Sequence, residues 1–452
     1  MVYIKYVMKY IGIFCIVLVI LFLALVLTSC IPKRAIEENL QESVELFKQN
    51  RGVEQLLKRR EYTYIHYYAD SIILNIIYCI DSEKPVESCL WANYYETVYA
   101  DINNDFIEVV EEQKEPTQQY LRYWHGSMTI LRPLLIIFNI EQIYLLNGIA
   151  LGILAIILLA LLFKKSKSLA FYYVIAMVMI AFPIVAFCLE YSWTFYIMLI
   201  TSIIAVCIEK KSNKGINILF FITGMITCFF DFLTTEIITL FVPMLLVLII
   251  RKKEGRLTSF KQGIKFMIQT GMLWLISYAG MWLAKWALSS IILKINAMDY
   301  VTEKAMNRVN GLQGIKSVEE MYIGAITRNW HTLYPINIIK KEADLWLIPI
   351  VFTIFIAIFT DWKNIKKMWF PALLLIIALM PYARYLVLAN HSYRHSIFTF
   401  RMQMITIIAI CEAVKESLNY RLMFKNIAFG KKSKGMKREK WNATPKISKN
   451  FW

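Results

Sequence analysis

The sequence is poor in histidine and acidic residues, and it lacks the motifs of several large protein classes. Its 452 residues include 5 His and 33 Asp and Glu, against 50 Lys and Arg. There is no glycine-rich phosphate loop, no GxSxG motif and no CxxC pair. The eight cysteines and five histidines show no spacing typical of zinc sites. The sequence therefore gives no support for a P-loop site, a serine hydrolase or structural zinc.

Long apolar runs are the dominant feature. Hydrophobic residues make up 58% of the chain, and the mean hydropathy is +0.50. Runs of about 20 apolar residues recur, the length that a helix needs to cross a bilayer core of about 30 Å. This pattern predicts an all-α fold, a polytopic transmembrane helical bundle of about ten spans. The predicted spans cover about residues 8–29, 144–163, 169–189, 193–208, 215–231, 237–250, 266–288, 346–360, 368–388 and 399–416.

Basic residues alternate between the short loops. The loops after predicted spans two, four, six and eight carry 15 Lys and Arg, whereas loops 190–192, 232–236 and 389–398 carry only Arg394. Basic loops face the cytoplasm in the positive-inside pattern. Both termini are then predicted to be cytoplasmic. The formal net charge of +17 reflects membrane topology, so no nucleic-acid partner is predicted.

Topology divides the chain into segments, two of which are long extracytoplasmic loops. "ILKINAMDYVTEKAMNRV" in the second loop has the pattern of an amphipathic surface helix. "SMTILRPLLIIFNI" in the first is short for a span, which indicates an interfacial or re-entrant segment. The predicted segments are a first transmembrane helix (1–29), a large extracytoplasmic loop with interfacial helices (30–143), a six-span bundle (144–288), a second extracytoplasmic loop (289–345), spans eight to ten (346–416) and a basic cytoplasmic tail (417–452).

Three cysteines allow two interpretations each. "LTSC", residues 27–30, matches a bacterial lipobox that would lipidate Cys30, and it also fits a span that ends in small residues. Cys79 and Cys89, in "CIDSEKPVESC", could form a disulfide on an oxidising side or remain two thiols.

All five histidines fall on the predicted outer side, and two outer segments there combine polar and aromatic residues. "HYYADS", residues 66–71, places Asp70 among aromatic residues, surroundings that raise a carboxyl pKa and suit proton transfer. "RYWHG" offers Arg122 and His125 to an anionic lipid phosphate. The alternatives are an interfacial helix with Tyr at headgroup level and an aromatic belt with snorkelling cations.

A third outer segment, "FDFLTTE" (residues 230–236), carries two acids and no base. Thr234 or Thr235 could cap span six, and Glu236 suits that helix N-terminus. Asp231 follows the C-terminal end of span five, where the helix dipole disfavours an anion. An acid in an unfavourable position at the membrane edge is a functional candidate.

The fourth segment, "NHSYRHSIFTFR" (residues 390–401), concentrates cations before span ten. His391 and His395 are four apart and would share a helix face, near Arg401. This arrangement suits an oxyanion, a metal or a structural role. Lys285, between two tryptophans in span seven, and Arg384 near the end of span nine could bind phosphate or snorkel to the interface.

Together these features resemble the GT-C class of integral-membrane glycosyltransferases. The resemblance is one of topology: a cytoplasmic N-terminus, a first span, a large outer loop with surface helices and an acid, then many spans. "RYWHG", "FDFLTTE" and "NHSYRH" are also similar to segments of membrane proteins from Gram-positive bacteria. The family acid usually follows span one closely, often as an Asp-Glu pair. Here "IPKRAIEENLQES" offers only Glu37 and Glu38, and Asp70 lies deeper in the loop.

The resemblance implies an enzyme of the bacterial cytoplasmic membrane with an extracytoplasmic active site. It would transfer a sugar from a polyprenyl-phosphate carrier to a cell-envelope glycan or another outer acceptor, by inverting single displacement. Asp70, and after it Asp231, would be the catalytic base. The implied substrate-binding residues are Arg122, His125, Thr234, Glu236, Lys285, His391, His395 and Arg401.

The implied partners are the lipid-linked sugar donor, the glycan acceptor and membrane lipids, and a divalent metal stays open. A polysaccharide polymerase or ligase acting on a lipid-pyrophosphate-linked glycan fits nearly the same pattern. A membrane transporter predicts charges near mid-membrane and repeated halves. The polar groups here gather at one face instead, which argues against transport.

Overall fold

The computed structural model describes residues 2–50, 53–55, 64–99, 101–302, 315–333 and 368–418, and the single positions 354, 358 and 360. Helices dominate this part of the chain. Seven of them are long and apolar enough to cross a membrane, which confirms the main feature of the predicted fold class. These candidate spans are Ile4–Ser29, Ile140–Lys165, Leu189–Ile208, Asn213–Phe230, Phe260–Leu293, Trp369–Val387 and Ser396–Ser417.

The other three predicted spans are not among these seven. Residues 169–189 form a shorter helix, Lys167–Met179, followed by a 3-10 helix, Phe182–Phe187. Residues 237–250 lie in a helix of 16 residues, Ile238–Lys253. The eighth predicted span, 346–360, lies outside the described residues except for its three single positions, as do loop residues 361–367 and the basic tail beyond 418. A count of about ten spans therefore stays a prediction.

The helices are numbered here in chain order. They are α1 (Val2–Ser29), α2 (Glu37–Gln49), α3 (Tyr67–Tyr78), α4 (Pro85–Trp91), α5 (Ile102–Glu111), α6 (Met128–Leu134), α7 (Ile140–Lys165), α8 (Lys167–Met179), α9 (Leu189–Ile208), α10 (Asn213–Phe230), α11 (Ile238–Lys253), α12 (Phe260–Leu293), α13 (Val318–Leu333), α14 (Trp369–Ala378), α15 (Met380–Val387), α16 (Ala389–Arg394), α17 (Ser396–Thr399) and α18 (Met404–Ser417). Short 3-10 helices cover Lys33–Ala35, Phe182–Phe187 and Phe400–Gln403.

Four short strands form two antiparallel pairs. β1 (Val53–Gln55) pairs with β2 (Tyr64–His66), so that Val53 faces His66. β3 (Asn93–Tyr94) pairs with β4 (Gln118–Gln119). The first pair ends where α3 begins, and it therefore helps to fix the start of that helix.

Local sequence explains where several long helices begin. Asn139 and Gln142 form a reciprocal capping box at the start of α7. Ser212 and Ser259 accept backbone N–H groups at the starts of α10 and α12. Helix α9 has no such cap from its own N-cap residue, Cys188.

The described residues between 30 and 139 fold as a small, mainly helical layer beside the ends of α1 and α7. Its core packs Phe47 of α2 against Tyr67 of α3 and Phe106 of α5. Arg132 in α6 is fully buried and donates to the carbonyls of Ile77 and Ile31, which end α3 and follow α1. The Arg132 side chain therefore links this layer to the end of α1 in the bundle. Its predicted placement at the membrane interface stays a prediction.

Small and hydroxyl-bearing residues line the helix crossings of the bundle. A Cβ on Gly224 of α10 would stand 2.3 Å from Oγ of Ser277 and from the carbonyl oxygen of Trp274, both in α12. Thr201 and Thr223 join α9 to α10 by a hydrogen bond of 3.0 Å. Close backbone approach and interhelical hydrogen bonds are the usual means of helix association in lipid.

The structure bears on two of the other sequence predictions. Cys79 and Cys89 are both free thiols, so the structure contains no disulfide between them. The amphipathic segment 292–309 is helical at residues 297–302, where Ala297 and Val301 are buried beside Leu121. Residues 303–309 of this segment lie outside the described residues. Lipidation of Cys30 stays a prediction.

Candidate functional site

A polar cleft of about 270 Å³ brings together residues from all four outer segments singled out in the sequence. It opens at the end of the bundle where α9 begins and α10 ends. Its aromatic walls are Tyr68, Tyr94, Tyr120, Tyr123, Phe232 and Phe398. Its charged and imidazole-bearing residues are His66, Glu96, Arg122, His125, Glu190, His391 and His395.

The polar cleft and most of the basic loops lie at opposite ends of the bundle. Helix α9 carries Glu190 in its first turn and is followed by Glu209, which pairs with Arg256. At about 1.5 Å per residue, its 20 residues separate these positions by about 30 Å. That distance matches the thickness of a bilayer core.

Arg122 is a cation without an anionic partner in the cleft wall. Its guanidinium carbon stands 4.0 Å from the ring centroid of Tyr120 and 5.2 Å from that of Tyr123. Its Nε is buried and has no hydrogen-bond partner, and no described carboxylate pairs with it. The aromatic rings hold the cation in place. A mostly buried guanidinium that lines a cleft and has no described carboxylate partner favours an anionic ligand.

His391 and His395 stand side by side, as their spacing predicted, with ring centroids 4.6 Å apart. Nη1 of Arg384 lies 3.4 Å from Nδ1 of His391. Because a guanidinium can only donate, Nδ1 accepts and the proton of a neutral His391 sits on Nε2. His395 stacks on Phe398 at 5.2 Å. Both imidazole rings line the cleft.

The other two histidines of the cleft are neutral at pH 7. Burial lowers the pKa of His66 to about 4 and that of His125 to about 3. Nε2 of His125 lies 2.8 Å from the carbonyl oxygen of Tyr120. His125 therefore lines the cleft as predicted, but as an uncharged hydrogen-bonding group and not as a phosphate-binding cation.

Glu190 is a cleft carboxylate that residue type and position alone did not single out. It is half-buried and belongs to the first turn of α9. The available signal was an acid beside aromatic residues, in "CLEYSW", within a short outer loop free of Lys and Arg. Residue 190 directly follows the predicted span 169–189. The argument used for Asp231, an acid at the C-terminal end of a span, would therefore have applied to Glu190 as well.

Asp70 does not line the cleft. Its carboxylate is fully buried and accepts the backbone N–H of Leu189 at 2.9 Å and that of Glu190 at 3.2 Å. The hydroxyl of Tyr144 donates to it at 2.7 Å. Asp70 therefore supplies, from 119 residues away in sequence, the N-terminal cap that α9 lacks locally. It fixes the backbone that carries Glu190.

In the turn after α10, the predicted site residues form contacts within the protein and do not line the cleft. Asp231 is buried and accepts the backbone N–H of Leu233 at 2.8 Å and the hydroxyl of Thr234 at 2.5 Å. Leu233 adopts φ 65°, a left-handed conformation that this hydrogen bonding stabilises. Glu236 forms a buried ion pair with Arg384 at 2.7 Å. These contacts shape the turn that presents Phe232 to the cleft.

Lys285 and Arg401 are buried away from the cleft. Nζ of Lys285 donates to the carbonyl of Leu90 at 2.8 Å. Nη1 of Arg401 donates to the carbonyl of Ile397 at 2.8 Å, and its guanidinium stands 4.8 Å from the ring centroid of Tyr191. Of the ten predicted site residues, Arg122, His125, His391 and His395 line the cleft, and the other six are buried behind it.

The described residues contain no group of three or more His, Cys, Asp or Glu side chains that could hold a metal ion. Two adjacent imidazoles without a nearby third ligand are a poor metal site.

The fold defines the class of this protein: it is a helical membrane protein with a polar cleft at one end of its bundle. No protein-family model matches the sequence, and no curated protein or solved structure matches it either. The chemistry of the cleft is therefore the basis for a functional proposal.

We expect Asp70→Asn to change how stability depends on pH. Burial raises the pKa of Asp70 to about 7 from 3.8, so the folded state binds a proton that the unfolded state has released between these values. The stability that Asp70 contributes is therefore complete below pH 3.8 and is lost as pH rises through 7. The stability advantage of the unmodified protein over Asp70→Asn should shrink by at most about 4 kcal/mol from pH 4 to pH 8. Thermal melting in detergent at each pH measures this difference, and a constant difference would contradict the prediction.

We expect Gly126→Ala to destabilise the protein at the wall of the cleft. A Cβ on Gly126 would lie 2.5 Å from the carbonyl oxygen of Phe229, which also accepts the Gly126 N–H at 2.9 Å. Backbone oxygen cannot move aside, so the variant should lose about 1–3 kcal/mol of stability. Gly152→Ala is the matched control, since a Cβ there meets nothing within 4 Å. Equal melting temperatures for the two variants would refute the expected close contact.

Proposed function

We propose that this chain is a membrane glycosyltransferase of GT-C type. It transfers a sugar from a polyprenyl-phosphate carrier to an extracytoplasmic acceptor such as a cell-envelope glycan. The observation that supports the proposal most is the polar cleft, in which the carboxylate of Glu190 and the unpaired guanidinium of Arg122 line one cavity. An acid suits the acceptor hydroxyl, and a cation suits the phosphate leaving group.

The proposed reaction is an inverting single displacement. The acceptor oxygen attacks the anomeric carbon and forms the new glycosidic bond. The bond from that carbon to the phosphate oxygen breaks, and the lipid phosphate leaves with the electron pair. Glu190 takes the acceptor proton, while Arg122, His391 and His395 stabilise the charge that develops on the phosphate. Asp70 then acts as a positioning residue, because it holds the first turn of α9.

A neighbouring groove suits the hydrocarbon part of the donor. It has a volume of about 400 Å³, is almost entirely apolar and lies between α6, α7, α9 and α10. Leu189 lines this groove, and Glu190 lines the polar cleft, so the two cavities adjoin at the start of α9. Ile130 and Ile200 on its walls are exposed, so the groove opens at the side of the bundle. An isoprenoid chain could enter there from the bilayer.

The test is turnover of defined donors by the purified, full-length protein. Undecaprenyl-phosphate hexoses are supplied in detergent with a panel of glycan acceptors, and both undecaprenyl phosphate and product glycan are measured. Donor-dependent formation of both is the expected result. Transfer only from pyrophosphate-linked oligosaccharides would favour a polymerase or ligase. Movement of donor across proteoliposome membranes without bond cleavage would favour a transporter.

A further inference from the structure

At the end of the bundle opposite the polar cleft, a groove of about 560 Å³ gathers basic side chains. Six lysines line it against only two glutamates. Helices α7, α8, α11 and α18 contribute these residues, so the groove lies between helices and not on a loop tip. Its lysines are Lys164, Lys165, Lys167, Lys252, Lys253 and Lys415.

Most of these lysines have no acid partner. Lys415 pairs with Glu412 at 2.8 Å, and Lys165 lies 3.5 Å from Glu209. In the described part of the chain, no carboxylate lies within 4.0 Å of the other four, Lys164, Lys167, Lys252 and Lys253. By contrast, Arg251 and Arg256 at the same end pair with Glu209. Four lysines of this groove therefore carry positive charge that no described carboxylate neutralises.

Local contacts hold several of the lysines in the groove. Nζ of Lys253 donates to the carbonyl of Lys165 at 2.6 Å, which ties α11 to the end of α7. Nζ of Lys252 stands 4.9 Å from the ring centroid of Trp369. Ser166, also in the groove, caps α8. A lysine whose only role is to set the orientation of the chain in the membrane does not need such contacts.

The ends of three candidate spans indicate that the groove lies near the expected level of the lipid headgroups. Three candidate spans have an end there, since Ile140–Lys165 and Ser396–Ser417 finish and Trp369–Val387 starts beside it. Tryptophan is typical of this interface, and basic pockets between helices bind acidic headgroups. Its volume lies in the range of small-molecule sites, about 300–1,000 Å³.

We propose that this lysine groove binds the phosphate headgroup of an anionic phospholipid. The phosphate oxygens would accept hydrogen bonds from Lys164, Lys167 and Lys252, and the acyl chains would lie along the adjoining helices. The groove is far from the polar cleft, and the proposal does not depend on the proposed sugar transfer. A free phosphate ion has the same headgroup chemistry, but it would not use the position of the groove at the membrane surface.

Native mass spectrometry of the full-length protein tests the proposal. The delipidated protein is titrated with cardiolipin, phosphatidylglycerol and phosphatidylcholine. We expect both anionic lipids to bind in preference to phosphatidylcholine. The K164Q/K167Q/K252Q variant should bind them up to about a hundredfold more weakly, since each lysine at a membrane surface contributes roughly fivefold in affinity. The single variants K164Q and K252Q should show the smaller step and serve if the triple variant does not fold.

The matched control is K211Q/K214Q/K261Q, which removes the same charge at the same end of the bundle from positions outside the groove. Its lipid affinity should stay within about twofold of the unmodified protein, since it leaves the surface contributions of the groove lysines intact. Equal losses in the two triple variants would overturn the proposal, because they would indicate diffuse attraction. Equal binding of phosphatidylcholine, or displacement of the lipid by millimolar inorganic phosphate, would also overturn it.

Discussion

Glu190→Gln is expected to lower sugar transfer by about 10²–10⁴-fold, the usual contribution of a positioned general base. Glutamine keeps the size of the side chain and its ability to accept a hydrogen bond, but it does not take up the acceptor proton. The backbone N–H of residue 190 still donates to Asp70, so the start of α9 is unchanged. The variant should therefore keep its fold and bind the donor normally. The measurement is single-turnover transfer with saturating undecaprenyl-phosphate hexose.

Glu96→Gln is the matched comparison for this variant. Glu96 is the second carboxylate among the described residues that line the cleft, and it accepts a hydrogen bond from the hydroxyl of Tyr94 at 3.2 Å. Its loss should change transfer by less than about tenfold, as for a binding group that does not take the proton. The opposite ranking of the two variants would assign the base to Glu96. Full activity in both variants would show that neither carboxylate acts as the catalytic base.

The sequence predicted the segments of the cleft better than the roles of their residues. Residue type and membrane topology pointed to four of the contributing segments, because charged and aromatic side chains at membrane ends need a reason to be there. They did not point to Tyr94, Glu96 or Glu190, which also line the cleft. Whether a side chain faces a cavity or the protein interior depends on tertiary contacts. Asp70 illustrates this, since its partner is the start of α9, 119 residues away. No local pattern reveals such a cap.

Asp231 shows how local hydrogen bonds can compensate for an unfavourable position. It was singled out because the C-terminal end of a helix disfavours an anion. In the structure it accepts hydrogen bonds from Leu233 and Thr234, so the turn after α10 compensates for its position.

The number of membrane spans also depends on tertiary contacts that the sequence does not reveal. A run of 14 apolar residues, such as 237–250, fits a buried helix as well as a short span, and α11 is buried along nearly its whole length.

Arg384→Ala is expected to destabilise the protein by about 3–5 kcal/mol, the cost of leaving a buried carboxylate without its partner. Arg384 is 6% exposed and Glu236 is 5% exposed, so water cannot replace the ion pair. The guanidinium also donates to the carbonyl of Leu233 at 2.5 Å and to the hydroxyl of Ser392 at 3.0 Å. It therefore joins α15 to the turn after α10 and to α16, two parts of the cleft wall. Unfolding in mixed SDS micelles, followed by tryptophan fluorescence, measures the loss.

Arg328→Ala is the control, because Arg328 contacts the same α16 segment through Tyr393 but is exposed, and its loss should cost under about 1 kcal/mol. The double variant Arg384→Met with Glu236→Leu separates folding from function. Replacing a buried ion pair by apolar side chains is often neutral or stabilising, so most of the lost stability should return. Transfer should stay low, because Nδ1 of His391 loses the Arg384 guanidinium as a donor, and this contact favours one tautomer of the imidazole. If the double variant were as active as the unmodified protein, Arg384 would serve stability alone, and the orientation of His391 would not depend on it.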